Sequence, residues 1–103
     1  MTFYDVITLP RAERDIEAAY GWMMNHAPSV ADAWYDDVFA AIDSLGEMPQ
    51  RCPLAPEAKY FKQEVRHLIL GAYRILFTVD ERNVRVMTIR HVSRKPLKRP
   101  PSR

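Results

Sequence analysis

The chain is poor in the residues that most simple function classes require. It has one cysteine, three glycines and no long apolar run. Cys52 alone forms no intramolecular disulfide, and a reducing cytosol is its natural setting. An inert thiol is the usual state of a lone Cys, so Cys52 is a poor candidate nucleophile. Three glycines leave no phosphate-cradling loop and no dinucleotide fingerprint. His26, His67 and His91 are scattered, and no zinc-type Cys/His spacing occurs, so neither metal nor cofactor is expected. No stretch reaches the length of a membrane-spanning helix. The apolar run in Met1–Leu9 is short and broken by Asp5, unlike a secretory signal. The formal net charge of +2 does not by itself suggest nucleic acid.

What is present points to one ordinary folded domain. Of 103 residues, 48% are apolar, enough for a modest single core and too many for disorder. The charges are unevenly spread. The first 50 residues hold nine Asp and Glu against two Arg, whereas the rest holds thirteen of the fifteen Lys and Arg. That asymmetry predicts an acidic helical side and a basic sheet-and-tail side.

Thr2–Thr8 is rich in strand formers and reads as a first strand. Pro10 suits the first turn of a helix. Ala12, Ile16, Ala19, Tyr20 and Met23 then define one helical face over residues 10–26. Ala27-Pro28 ends it. Ser29 is placed to cap a second helix, 29–46, with Asp32 in a capping-box position and Gly46 as a left-handed terminator. Its face is Ala31, Trp34, Tyr35, Val38, Ile42 and Leu45, so Trp34 is a core candidate. Trp22 falls off the first helix's stripe and suits a helix edge or an interface. His26 suits a helix C-terminal dipole contact. Pro49, Pro53 and Pro56 make residues 47–61 irregular. Glu64–Leu70, Ala72–Val79 and Asn83–Val92 read as three antiparallel strands joined by short turns. The expectation is an α+β fold in the order β-α-α-β-β-β: an N-terminal strand, an antiparallel helical hairpin, and a three-stranded antiparallel meander. Residues 1–94 form the domain and 95–103 a basic, proline-rich tail. The hairpin covers one sheet face, and the other is open or covered only by the proline loop and the tail.

The strands carry the candidate chemistry. Tyr73, Ile75, Phe77 and Val79 share the core face of the middle strand, and Arg74 points the other way. Neighbouring strands offer Arg66 or His67, and Arg90 or His91, with Arg94 just beyond. A cluster of Arg74 and Arg94 with one or both histidines would suit phosphate recognition, since Arg binds phosphate oxygens bidentately and His moves protons near neutral pH. The plainer role for Arg74 is an ion pair with an acidic residue on a solvated face.

Taken together, Thr8-Leu-Pro-Arg-Ala12, Asp15-Ile16, Pro28-x-x-Ala31, Leu45-x-x-x-Pro49, Gly71-Ala-Tyr-Arg-Ile-Leu-Phe77 and Val86-x-x-Ile89-Arg-His-x-x-Arg94 resemble the RelE/ParE superfamily of type II toxin–antitoxin toxins. The resemblance spans Tyr4 to Arg94 and implies a cytoplasmic toxin held in an oligomeric complex by a cognate antitoxin, with no membrane partner. In RelE-like members, which cut messenger RNA on the ribosome, it implies a catalytic set of Arg74, Arg94, His67 and His91. Arg66, Arg90 and Lys95 would then contact substrate. The C-terminal tyrosine of the best-known RelE-like members is missing after Arg94. The alternative is a ParE-like, non-catalytic inhibitor of DNA gyrase, and a third possibility is a toxin-derived binding protein without activity. RNA hydrolysis would need a base, an acid and charge stabilisation at phosphorus.

Overall fold

The computed structural model describes residues 3–101. The chain forms β1 (Asp5–Thr8), α1 (Pro10–His26), α2 (Pro28–Ser44), two 3-10 turns at Pro49–Arg51 and Pro56–Tyr60, then β2 (Val65–Leu70), β3 (Tyr73–Asp80) and β4 (Asn83–His91). The expected order is therefore found. Thr2 of the predicted first strand, and residues 102–103 of the predicted tail, lie outside the described residues.

The four strands run in the order β1-β4-β3-β2. β2, β3 and β4 pair antiparallel, while β1 pairs parallel to β4. The parallel pairing follows from the connection, because two helices intervene between β1 and the meander and carry the chain back across the sheet. Gly71 (φ 57°) makes the β2–β3 turn, where a residue with a Cβ would be strained.

The helical hairpin packs on one face as its periodicity predicts. Ala12, Ile16, Val38, Ile42 and Leu45 join Ile75, Phe77, Val84, Val86 and Ile89 in the main core. Trp34 packs against its margin. Tyr20 donates to Asp32 and Tyr35 donates to Glu17, each at 2.5 Å, so two phenols tie the helices together.

Two helix ends differ from expectation. Helix α2 starts at Pro28, with Ala27 as the cap and no side-chain capping bond. Pro28 has no N–H to satisfy and has a preset φ, so Ser29 falls inside the first turn and does not cap it. Gly46 does not adopt a positive φ; the left-handed residue is Met48 (φ 46°). Gly46 serves close approach instead, because a Cβ there would meet the Tyr4 carbonyl oxygen at 3.3 Å.

The second sheet face is closed. Ala55, Val65, Leu76 and Met87 form a smaller buried cluster, with Leu9, Ala58 and Phe61 against it. The register shifts between Leu76 and Phe77, so that Met87 is the extra residue on β4. The residues after β4 also fold back on this face. The Leu97 N–H donates to Glu57, and Pro100 and Pro101 line a cavity with Leu9, Thr78 and Met87.

β1 is shorter than β4 and leaves part of its outer edge uncovered. β1 pairing ends at Thr8 opposite Val86, and the Leu9 N–H reaches the Val86 carbonyl. Beyond that point Asp15 of α1 takes over. Its Oδ2 accepts the Ile89 N–H at 3.1 Å and the Thr88 hydroxyl, while Arg11 Nε donates to Oδ1 at 3.1 Å. One carboxylate thus satisfies the edge that β1 does not reach. Asp15→Ala should lower stability by about 1–3 kcal/mol, since it strands a partly buried N–H and hydroxyl. Asp15→Asn, which keeps an acceptor oxygen, should lose less. Urea unfolding followed by circular dichroism measures both.

Candidate functional site: a buried arginine network and an open groove

Partners across an antiparallel ladder share a face. Arg74 lies opposite Arg90, and Tyr73 lies opposite His91. The register therefore puts both arginines on the second face and His91 on the helix side. His67 lies opposite Leu76, one of the second-face core residues, and so joins the arginines. The seven residues expected to act together divide into separate settings.

The first setting is a buried polar network under the proline loop and the tail. Arg74 is only 6% exposed, and Glu57 is fully buried. Arg74 Nη1 and Nη2 donate to Glu57 Oε1 and Oε2 at 2.9 and 2.7 Å, a bidentate pair. The Leu97 N–H adds a third bond to Oε2 at 3.1 Å. Arg74 Nη1 also lies 3.2 Å from His67 Nδ1. A guanidinium only donates, so Nδ1 is the acceptor and the His67 proton sits on Nε2. Arg90 Nη2 donates to the Lys95 carbonyl at 2.8 Å, while its buried Nε finds no acceptor among the described residues.

Electrostatics follow the geometry. Burial by itself pushes the Glu57 carboxyl up. The hydrogen bonds from Arg74, from the Leu97 N–H and from its own N–H, with the Arg74 charge, outweigh burial and hold it below the usual carboxylate range. Burial first, and then the Arg74 charge, lower the His67 pKa, while Glu57 opposes them only in part. Burial and the Arg94 charge lower Arg90. The solvated Arg74 expected from alternation is thus corrected. Residues 53–61 and 95–101 cover that face, and the arginine is held by a buried carboxylate.

Arg66 has another task. Its Nη1 donates to the carbonyls of Cys52 (2.6 Å) and Gln50 (3.4 Å), and its Nη2 pairs with Glu64 at 3.3 Å. It ties β2 to the proline loop. Cys52 is buried, and burial pushes its thiol up, away from nucleophilic use.

The second setting is an open groove of roughly 720 Å³ on the helix face of the sheet, at the turn of the helical hairpin, where β3 begins and β4 ends. Trp22, Val30, Ala72, Tyr73, His91 and Arg94 line it. His91 stacks edge-on to Tyr73, with ring centroids 5.3 Å apart. Its Nδ1 accepts the Ser93 N–H at 3.1 Å, which leaves the proton on Nε2. Arg94 and Lys95 are exposed. Arg94 makes no ion pair with a carboxylate among the described residues. Trp22 is 58% exposed and stacks on His26 at 4.2 Å; the His26 Nδ1–H donates to the Trp22 carbonyl, a contact at the helix end as expected.

Neither setting gathers a metal site: among the described residues no three His, Cys, Asp or Glu side chains converge. None of the described helices is long and apolar enough to cross a membrane. The residue that sequence reasoning missed is Glu57. It directly follows Pro56 in an irregular loop, where no periodicity marks a buried position, and Glu64 is the carboxylate nearer in sequence to β2.

Residues 6–96 match the family described as the ParE toxin of the type II toxin–antitoxin system parDE. This chain belongs to the ParE toxin family. The matched segment runs from Val6 in β1 to Pro96 and includes the site side chains of both settings, with the Leu97 N–H just beyond it. Among solved structures, a chain of the chromosomal ParDE system from P. aeruginosa superposes with a TM-score of 0.72 at 17% identity, covering 86% of this chain and 96% of that one. A chain of the RelBE2 toxin–antitoxin complex from Mycobacterium tuberculosis superposes with a TM-score of 0.56 at 24% identity, covering 88% and 93%. At those identities the likeness is one of fold, and it places the chain in the RelE/ParE-like α+β class. No curated protein matches in sequence.

Breaking a buried pair strands a charge, so Arg74→Ala should cost about 3–5 kcal/mol rather than the few tenths typical of an exposed strand position. The double variant Glu57→Leu/Arg74→Met should recover most of that loss in chemical denaturation.

Acid should destabilise the fold in two windows. His67 has a depressed native pKa, so the unfolded chain takes up its proton first and stability falls as pH drops below 6.5. The Glu57 contribution is present above its ordinary value of 4.5 and is lost as pH falls through its lower native pKa. His67→Gln should flatten the first limb and Glu57→Gln the second, in unfolding free energies measured across pH.

Proposed function

We propose that this chain is the toxin of an antitoxin-controlled pair, and that it acts by binding DNA gyrase rather than by cutting messenger RNA. The observation that carries the reading is the buried, bidentate Arg74–Glu57 pair. Both of its terminal nitrogens are spent on Glu57, and the pair is buried beneath the loop and the tail. A phosphoryl-stabilising arginine needs donors aimed at open space where charge develops. Three of the five Arg74 donors are already used by Glu57 and His67, and the residue is only 6% exposed. His67 is held neutral with its Nδ1 occupied, and His91 lies on the other face. The base, the acid and the charge stabiliser of RNA hydrolysis do not converge, so Arg74 and His67 are framework residues in this reading. Membership of the ParE family favours the same side. The two structural relatives come from toxin–antitoxin systems, which supports an antitoxin as the controlling partner.

One observation keeps messenger RNA cleavage as the second reading. Arg94 is exposed and pairs with no carboxylate among the described residues, it lies close enough to Arg90 to lower that residue's pKa, and phosphate would suit such a pair.

Purified chain added to gyrase, relaxed plasmid and ATP should abolish supercoiling, and the antitoxin should restore it. In cells, induction should raise the DNA-damage response without discrete new 5′ ends on ribosome-bound messenger RNA. Codon-positioned cuts by primer extension, with supercoiling untouched, would establish the RNA reading instead. If neither occurs and growth is unaffected, the chain is a binding protein without toxicity.

A further inference from the structure

A small cavity lies on the second sheet face, toward the β3–β4 turn from the Arg74–Arg90 pair, and neither setting above uses it. The register explains what it contains. Thr78 is opposite Val65 on one side and Arg85 on the other, so all three share the face of the smaller core. Thr78 is only 8% exposed, yet its hydroxyl makes no hydrogen bond among the described residues. Nor is that oxygen sealed in: it keeps some accessible surface, and the residue lines the cavity. A hydroxyl on so buried a residue ordinarily has a partner, and this one is turned toward space that a ligand fills.

The other polar walls come from separate elements. Arg85 gives Nη1 to Asp80, and its Nε and Nη2 bond nothing among the described residues. Arg11 stands in the first turn of α1, where Asp15 takes its Nε. A cation there sits at the positive end of the helix macrodipole, and the cap residue Leu9 offers no side-chain acceptor. Gln63, in the loop before β2, brings an amide that bonds no described group. Among the described residues no carboxylate lines the cavity. Asp15 and Asp80 are each bound to one of its arginines, and Glu64 is paired with Arg66. The chain around it is cationic: from Arg82 to Arg103 it carries eight Lys and Arg and no Asp or Glu.

Two guanidinium groups, a hydroxyl, an amide and a helix N-terminus make the donor set of a phosphate site. Arg holds phosphate oxygens through paired donors, and a helix N-terminus favours negative charge. A carboxylate would leave part of this set unused, whereas a phosphate monoester presents three acceptor oxygens. The volume of about 200 Å³ is below the ~300 Å³ at which drug-sized pockets begin, so the occupant is compact. Leu9 and Met87 give an apolar wall beside the donors, and Pro100 and Pro101 of the folded-back chain end complete the lining.

We propose that this cavity binds the phosphate group of a small phosphorylated ligand, with its oxygens on Arg85, Arg11 and the Thr78 hydroxyl and any organic body against Leu9 and Met87. The site is distinct from the buried network and from the groove. It stands whichever target the toxin has.

The test uses the full chain, with calorimetry and thermal unfolding at matched ionic strength in inorganic phosphate, adenosine 5′-monophosphate or adenosine. Both phosphates should bind and raise the melting temperature, and adenosine should do neither. Tighter binding of the monophosphate assigns the cavity to an organic monoester and equal affinity assigns it to the free ion; either result supports a phosphate site. Arg85→Ala should weaken binding about tenfold or more, the size of a lost hydrogen bond to a charged group, and Thr78→Val about threefold. Arg82→Ala, at the β3–β4 turn and outside the cavity, should bind as the parent does. Parent-like unfolding without ligand checks the fold of each variant. Gln63→Ala, at an exposed position, should also weaken binding and serves as the probe should either of the others misfold. Absence of binding by both phosphates overturns the proposal. So does adenosine binding as tightly as its monophosphate, or parent-like affinity in the folded cavity variants. Equal weakening by Arg82→Ala overturns it too, because the attraction is then one of diffuse charge.

Discussion

Two guanidinium groups face each other across the central ladder, and the second layer of this protein is organised around that constraint. Arg74 and Arg90 are directly opposite on β3 and β4, next to Leu76 and Met87. Like charges in that register repel, and taking a guanidinium out of water costs several kcal/mol. The carboxylate that β3 places on that face, Asp80, is taken by Arg85. Glu57 supplies one from the proline loop, and the tail follows, with the Leu97 N–H on the carboxylate and the Lys95 carbonyl on Arg90. The proline loop, joined to β2 by a single bridge between Leu54 and Arg66, and the residues after β4 become its second layer. The pair itself adds little net stability, because desolvation consumes much of the Coulombic gain. What it does is specify the arrangement, since any alternative seat for the loop leaves Arg74 buried and alone.

The same device recurs at the sheet's edge. Asp15 reaches from α1 to the Ile89 N–H and the Thr88 hydroxyl, where β1 has run out. At the opposite edge, the Ala55 N–H bonds the Val65 carbonyl, and the Pro53 carbonyl accepts the His67 N–H. Both edges of a four-stranded sheet are therefore covered along part of their length by groups that are not strands. That limits the open backbone on which unwanted pairing could start.

These constraints separate the rigid part of the molecule from the part left to interact. The arginine face is covered by the proline loop and the residues after β4, and Glu57 neutralises Arg74 there. The groove at the hairpin turn keeps exposed apolar surface and, among the described residues, a cation that pairs with no carboxylate and a buried donor without an acceptor. Groups that folding leaves unsatisfied are the ones a partner can satisfy at little cost, so the division of charges between the two settings bears more directly on function than their total number.

The sequence by itself determined the elements and their order. Helical period gave the inner faces of α1 and α2, alternation gave Tyr73, Ile75 and Phe77 as core, and the resemblance carried by residues such as Gly71–Phe77 gave the family. These signals are local, or repeat at short range. The helix ends were less legible. At Pro28 and Gly46, a proline's missing donor and a close approach by Tyr4 overrode the usual cap preferences. What only the tertiary structure decided is the meaning of the charged strand residues. Alternation put Arg74 away from the core correctly but could not tell whether that face meets water. The answer depends on Glu57, seventeen residues away, and Leu97, twenty-three residues away in the other direction, meeting above it. Nor could alternation tell which of Arg90 and His91 shares that face. The strand-to-strand register fixes the answer, and the register is set by the shape of the whole sheet, including the extra residue at Met87. Long-range meetings of this kind leave no periodic trace in a sequence, because the energy that selects them, pairing and desolvation of charge, exists only once the chain has folded.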